Sequence, residues 1–214
     1  MEFINADLQD YIEKHTSPES DLLRKIERDT KANVLMPRML SGHIQGRLLS
    51  MISKMIRPGL ILEIGTYTGY SAICLAEGLR PGGKLITIDI NEELESKVRG
   101  YFDEAHLTES IDYRIGNAVE VIPALSGPFD LVFIDADKKN NSTYFDFVID
   151  KVPVGGFILA DNVLWSGKVV DSDPDKDTKS IISFNDKVQS DPRVENVLLP
   201  LRDGITIMQK IRSD

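Results

Sequence analysis

The sequence predicts an α/β chain: a doubly wound, mostly parallel seven-stranded sheet with helices on both faces, N-terminal helices ahead of it and an antiparallel hairpin at its end. Three observations predict it. From Leu60 onward, short apolar runs alternate with amphipathic segments, the pattern of parallel strands joined by crossover helices. Ahead of Leu60 the apolar residues recur at helical spacing. The last two strand-like runs, Val194 to Leu199 and Ile205 to Met208, are separated only by Pro200-Leu201-Arg202-Asp203-Gly204, too short for a crossover, so they should pair antiparallel.

In chain order, Leu8, Tyr11 and Ile12 mark one face of a first helix, and Ser17-Pro18-Glu19 opens a second that runs through Leu22, Leu23 and Ile26. A third begins at Ser41, carries Ile44, Leu48, Leu49, Ile52, Met55 and Ile56 as one apolar stripe, and stops at Pro58-Gly59. Strands are expected at Leu60 to Ile64, Lys84 to Asp89, Ile111 to Ile115, Phe129 to Ile134 and Val154 to Ala160, with helices near 70–79, 92–105, 118–125 and 141–151. Ser166 to Lys179 reads as a solvated, mobile loop. Its acidic run, Asp171 to Asp177, has Lys176 and Ile182 where a calcium loop needs Gly and Glu. The expectation is a single domain over 1–214, with a helical cap at 1–57 and an α/β core at 58–214.

A chain of 214 residues can bury its core without staples. The single cysteine, Cys74, lies in an apolar setting and should be a buried, inert thiol, which leaves no cysteine-rich zinc site. His15, His43 and His106 lack metal-ligand spacing. No apolar stretch approaches the roughly 20 residues that span a bilayer. The start, MEFINADLQDYIEK, is acidic and amphipathic where a signal peptide is basic and then apolar, so a cytoplasmic protein is expected. A formal charge of −9 and a pI near 4.9 work against polyanion binding.

Open α/β sheets bind ligands at the carboxyl ends of their strands. The first strand ends in Glu63-Ile64-Gly65-Thr66-Tyr67-Thr68-Gly69-Tyr70-Ser71, where two glycines four apart allow a tight turn and close backbone approach. Ser71 and nearby N–H groups can hold a carboxylate. The spacing is not G-x-G-x-x-G, so a pyrophosphate cradle is not expected. Twenty residues after Gly69, Asp89 ends the second strand, where a carboxylate can accept from both hydroxyls of a ribose. Gly116-Asn117-Ala118 follows the third strand, small and polar where an adenine edge would lie. Asp135 ends the fourth strand and Asp161-Asn162 the fifth. Side by side they offer three hard oxygen ligands, which favours Mg²⁺, with Mn²⁺ or Ca²⁺ as alternatives, over zinc. Lys138, one helical turn after Asp135, can reach the same centre. Trp165 and Tyr144 are candidates to pack against an aromatic ligand or to fill the core.

On these motifs the chain resembles the class I methyltransferases that use S-adenosyl-L-methionine. More narrowly, it is similar to the cation-dependent O-methyltransferases that include catechol and caffeoyl-CoA enzymes, from about Met39 to Lys210. The resemblance implies a Rossmann-like fold and a cofactor whose methionine part lies against Glu63, Gly65, Thr66, Tyr67 and Ser71. It assigns the ribose to Asp89 and the adenine to Ala118, with Met39, Asp135 and Asp137 also against the cofactor. It assigns the cation to Asp135, Asp161 and Asn162, with a further contact at Ser41, and it implies a homodimer. Gly116-Asn117-Ala118 departs from the family's Gly-Asp-Ala, so Asn117 receives no role.

The expected activity is methyl transfer to a hydroxyl of a small aromatic diol. A neutral phenol, with a pKa near 10 as for Tyr, is a poor nucleophile at neutral pH, and a bound cation lowers that pKa. Two adjacent oxygens could chelate the ion, which favours an ortho-diphenol, and Lys138 is the candidate general base. Two alternatives stay open. One is a tRNA hydroxyuridine methyltransferase, for which Arg24, Lys25, Arg28, Lys31, Arg38 and Arg47 would supply a basic surface. The other is a non-catalytic nucleoside-binding protein.

Overall fold

A computed structural model describes residues 4–213. Residues 1–3, the start of the acidic N-terminal segment, and residue 214, the end of the region expected to form one domain, lie outside the described residues. The strands are β1 (Leu60–Ile64), β2 (Lys84–Asp89), β3 (Ile111–Ile115), β4 (Leu131–Ile134), β5 (Phe157–Asp161), β6 (Val194–Leu199) and β7 (Ile205–Lys210). They form one sheet in the order β3-β2-β1-β4-β5-β7-β6. The α-helices are α1 (Ala6–Lys14), α2 (Asp21–Asn33), α3 (Gly42–Ile56), α4 (Tyr70–Ala76), α5 (Glu95–Glu104), α6 (Ala118–Val121), α7 (Asn141–Ile149) and α8 (Lys176–Ser190). This is the α/β fold with a C-terminal hairpin that the sequence predicts. The chain forms two compact units, a helical unit (Ile4–Gly59 with Gly65–Gly116) and a hairpin unit (Leu60–Ile64 with 117–213).

In the helical unit β2 and β3 run parallel, from Leu85 opposite Ile111 to Asp89 opposite Ile115. Helix α2 buries Leu23, Ile26 and Thr30, one stripe at helical spacing. Its cap is Ser20, whose side chain accepts from the Leu23 N–H, so the helix opens three residues later than Ser17-Pro18-Glu19 suggests. Helix α3 buries Gln45, Leu49, Ile52 and Ser53. Met55, expected on that stripe, is 71% exposed. At about 100° per residue it lies roughly 120° round the helix from Leu49. Helix α1 has no buried residue, so its predicted apolar face of Leu8, Tyr11 and Ile12 is not covered within this unit. Cys74 is buried in α4, as its apolar surroundings predict.

In the hairpin unit β1, β4 and β5 are parallel neighbours, and β7 runs antiparallel to both β5 and β6. Every residue of β4 is buried, which is why it reads as an unbroken apolar run. Strand β5 starts at Phe157, later than Val154, because Pro153 to Gly156 form a turn closed by the Gly156 N–H on the Pro153 carbonyl. The predicted loop from Ser166 to Lys179 needs correction. Trp165–Val170 forms 3₁₀ turns broken by a kink at Ser166 and Gly167, both at positive φ, and α8 begins at Lys176, capped by Asp175, whose carboxylate accepts from the Thr178 N–H at 2.8 Å. The acidic run is thus partly a helix cap, and Ile181, Phe184 and Val188 give α8 its buried stripe. No helix among the described residues is long and apolar enough to cross a membrane.

Glu77, just after α4, ties α3 to α4: it accepts from Arg47 at 2.6 Å, Lys54 at 2.7 Å and Ser50 at 2.8 Å. Burial alone would push its carboxyl up, but Arg47, Lys54 and Ser50 outweigh burial and hold it down at about 2. A folded-state pKa below the unfolded one stabilises above the unfolded value and loses that contribution as pH falls. Glu77→Gln should therefore lower stability by about 2 kcal/mol at neutral pH. In urea titrations from pH 7 downward, the gap to the parent chain should close between about pH 4.5 and about 2.

Candidate active site

In the helical unit the chain runs from Gly65 to Gly69 with the Gly65 N–H on the Ile88 carbonyl at 2.9 Å and the Gly69 N–H on the Thr66 carbonyl at 2.8 Å. Both glycines have positive φ, 103° and 79°, where a side chain is strained. At Gly69 an added Cβ would also stand 2.9 Å from Phe102. The spacing of the two glycines is thus a backbone requirement.

Asp89 anchors this turn. Its Oδ2 accepts from the Thr66 N–H at 2.9 Å and the Tyr67 N–H at 2.6 Å, and its Oδ1 accepts from the Asn91 N–H at 2.9 Å. Three of about four lone-pair positions are filled. The carboxylate that the sequence reads as a ribose acceptor is therefore first the anchor of the glycine turn, with capacity left on Oδ1. Thr66 and Thr87 join their hydroxyls at 2.6 Å beneath the turn. Tyr67, at φ 49°, donates its hydroxyl to the Leu35 carbonyl at 2.9 Å, and burial pushes its phenol up, so it stays protonated. Ser71 is buried in the first turn of α4, Met39 is exposed in the 3₁₀ turn Pro37–Met39, and Ser41 is buried at the start of α3.

The hairpin unit holds the other predicted residues. Glu63 is fully buried in β1 and Ala118 opens α6. Asn117 caps α6, its Oδ1 accepting from the Val119 N–H at 3.1 Å, so the departure from Gly-Asp-Ala has a local structural role. The parallel pairing of β4 and β5 ends with Ile134 opposite Ala160. Asp135 and Asp161 are the next residues on each strand, and adjacent strands lie about 4.8 Å apart. The two carboxylates that the sequence places at separate strand ends are thus brought together by the register, with Asp161 buried at 3% exposure. Burial pushes the Asp135 carboxyl up, Lys138 opposes this, and the charge of Asp161 adds to it.

Lys138 donates from Nζ to Asp135 Oδ1 at 3.0 Å, with side chains only 10% and 17% exposed. Asn162 sits at φ 59°, a region that Asn tolerates, and its N–H reaches Asp161 Oδ1 at 2.8 Å. The β6–β7 turn then clamps the chain: Val163 and Leu164 donate to the Gly204 and Asp203 carbonyls at 3.2 and 2.9 Å. From α8, Asn185 Nδ2 donates to the Val163 carbonyl at 2.9 Å. Among the described residues no three His, Cys, Asp or Glu side chains gather as a metal cluster. The residues expected to hold a cation, Asp135, Asp161 and Asn162, would offer two carboxylates and an amide, all hard oxygens. This set carries like charges that call for a cation, and so fits Mg²⁺ better than zinc.

Asp137 accepts from Tyr144 Oη at 2.5 Å and from Asn140 Nδ2 at 2.7 Å. Tyr144 is buried and spends its hydroxyl on Asp137, so of its two expected roles the core one holds. Trp165 is half-buried at φ 47°. Asn141, one turn after Lys138, lies outside the residues the sequence singles out. It is fully buried and neither of its amide atoms has a hydrogen-bond partner. An Asn in register with the stripe Tyr144, Phe145, Val148 and Ile149 is the available signal.

The sheet order, the antiparallel C-terminal hairpin and the acidic strand ends define a Rossmann-like methyltransferase fold. A family model described as O-methyltransferase matches residues 3–211. Caffeoyl-CoA O-methyltransferase 1 of Arabidopsis thaliana is 33% identical over 220 residues, covering 96% of this chain and 85% of that protein. Caffeoyl-CoA O-methyltransferase of Medicago sativa is 36% identical over 188 residues, covering 81% and 76%. Among solved structures, the O-methyltransferase TomG from Streptomyces achromogenes, in complex with SAM, superposes with a TM-score of 0.89 at 27% identity, covering 96% of each chain. An O-methyltransferase from Bacillus cereus, in complex with SAH, gives 0.87 at 29% identity, covering 95% and 97%. The chain belongs to the O-methyltransferase family.

Two substitutions check this geometry. Asp89→Asn removes one carboxylate oxygen as an acceptor and should cost about 1–3 kcal/mol in chemical denaturation. Asn141→Leu replaces an unsatisfied buried amide with an apolar group of similar size, and calorimetry should show a melting temperature equal to or above the parent's.

Proposed function

We propose that the chain transfers the methyl group of S-adenosyl-L-methionine to a hydroxyl of a small ortho-diphenol of catechol or caffeoyl type, with a divalent cation, Mg²⁺ first. The observation that carries this reading is that Asp135 and Asp161 each follow the last β4–β5 rung, Ile134 opposite Ala160, and act on each other electrostatically, with Lys138 on Asp135. The SAM and SAH complexes of the similar structures and the acceptor named for the plant relatives support it.

Gly65, Thr66, Tyr67 and Ser71 would hold the donor's methionine part, with Glu63, Met39, Ala118 and Asp137 as further contacts. Asp89 Oδ1 keeps one acceptor position for a ribose hydroxyl. The donor supplies a methyl on a sulfonium, open to in-line attack by oxygen. Asp135, Asp161 and Asn162 would hold the cation, which lowers the pKa of a chelated phenol and fixes its direction. Lys138 Nζ, once freed of its own proton as the neutral amine, would take the proton of the attacking hydroxyl. A cytoplasmic homodimer completes the reading, and sedimentation tests the dimer.

Transfer to tRNA is the second reading, and the charge pattern counts against it. Arg24, Lys25, Lys31 and Arg47 are paired with Asp21, Glu104, Glu27 and Glu77, so much of the basic N-terminal stretch is already neutralised.

The purified chain, given S-adenosyl-L-methionine, should methylate a catechol or caffeoyl acceptor, lose activity on chelation with EDTA and regain it with Mg²⁺. Asp161→Ala should not regain it, and Lys138→Ala should fall by about 10²–10⁴ in kcat. Transfer to bulk RNA alone would remove the diphenol, and unchanged turnover in EDTA would remove the cation.

A further inference from the structure

We infer that the Lys138 ammonium is the resident counter-ion of the Asp135–Asp161 pair, and that a divalent cation binds there by displacing it, releasing the lysine toward the acceptor. The inference rests on the proposed cation site and adds an exchange that cation binding must perform.

The register of β4 and β5 sets two carboxylates on neighbouring strand ends, one buried and the other largely so. Buried like charges need compensation, because little water is left to screen them. Lys138 supplies it at 3.0 Å, from a side chain only 10% exposed. Lys139 does not: it is 72% exposed and stands 3.9 Å from Asp137. Arg202 acts on Asp135 electrostatically and adds positive charge from the β6–β7 turn.

A divalent ion on Asp135 and an ammonium on the same carboxylate would repel each other at close range in a poorly screened site. The two are therefore alternatives. Linkage makes the effect reciprocal, so the ion weakens the lysine's hold on Asp135 by the factor by which the lysine weakens the ion's. Lys138 is suited to exchange because its amine sits on four single bonds and can leave a carboxylate without moving the backbone. The strand ends that carry the carboxylates cannot move this way.

The test is calorimetric titration of Mn²⁺ into the chain without donor or acceptor. Lys138→Met keeps the length of the side chain without its charge, and it should bind Mn²⁺ about ten- to a hundredfold more tightly than the parent. Lys139→Met should match the parent, and Asp161→Asn should bind far more weakly. If Asp161→Asn binds as the parent does, the cation site itself is wrong and the exchange falls with it. If Asp161→Asn loses binding while Lys138→Met binds no more tightly than the parent, the cation site stands and the exchange is overturned. A second measurement uses the unmodified chain, so it does not depend on a variant's folding. The ¹H–¹⁵N signal of the Lys138 ammonium should shift on addition of Mg²⁺, and an unmoved signal would overturn the exchange.

Discussion

The arrangement at the candidate site depends on one constraint, the parallel register that sets Ile134 opposite Ala160. A slip of one residue in either strand would turn its buried side chains to the opposite face. Phe133, Ile134, Leu159 and Ala160 are all fully buried, so both faces are packed and a slip would force each side chain into a space shaped for another. On its other edge β5 is held by β7, with Asp161 opposite Ile205. The core thereby fixes the two aspartates side by side against their mutual repulsion. Hydrophobic packing does the work of holding charges where they would not gather alone.

Each unit places a carboxylate at a strand end and satisfies it differently. In the helical unit Asp89 receives three backbone N–H groups, from Thr66, Tyr67 and Asn91. Such donors cannot leave without unfolding the turn, so Asp89 is a permanent anchor with a little spare capacity. In the hairpin unit Asp135 receives a lysine amine on a flexible stem. Under the proposed exchange that partner would give way to another cation while the strands stay in place. The difference between backbone and side-chain donors separates a carboxylate that builds a loop from one proposed to bind an ion.

This difference also marks what the sequence could reveal. Strands β1, β2, β3 and β6 fall residue for residue on their expected spans, because short apolar runs bounded by turn residues are a local signal. The approach of Asp135 to Asp161 was legible as well, since parallel strands bring their carboxyl ends together. Helix α8 was not read, although Asp175 and Thr178 form a cap and Ile181, Phe184 and Val188 follow at helical spacing. Its acidic start resembles an open, solvated loop because Asp171, Asp173, Asp175 and Asp177 alternate with polar residues and Pro174. The anchoring role of Asp89 has no local signal, because it depends on where distant backbone ends up, whereas Asn141 at the head of α7 could be singled out from the sequence but not shown to lack partners.

The placement of charge over the chain bears on the same chemistry. With 34 acidic and 25 basic residues, cations are scarce, and many described ones are committed to carboxylates. Arg47 and Lys54 sit on Glu77, Lys97 on Asp29, Lys187 on Asp146 and Lys138 on Asp135. The net charge left over is negative, so the field of the chain concentrates small cations and repels polyanions. Sustained attraction of divalent ions makes displacement of one ammonium by a doubly charged competitor easier, and the same field opposes approach of an RNA backbone. The catechol of the proposed function, small and uncharged with two adjacent oxygens, would meet neither obstacle.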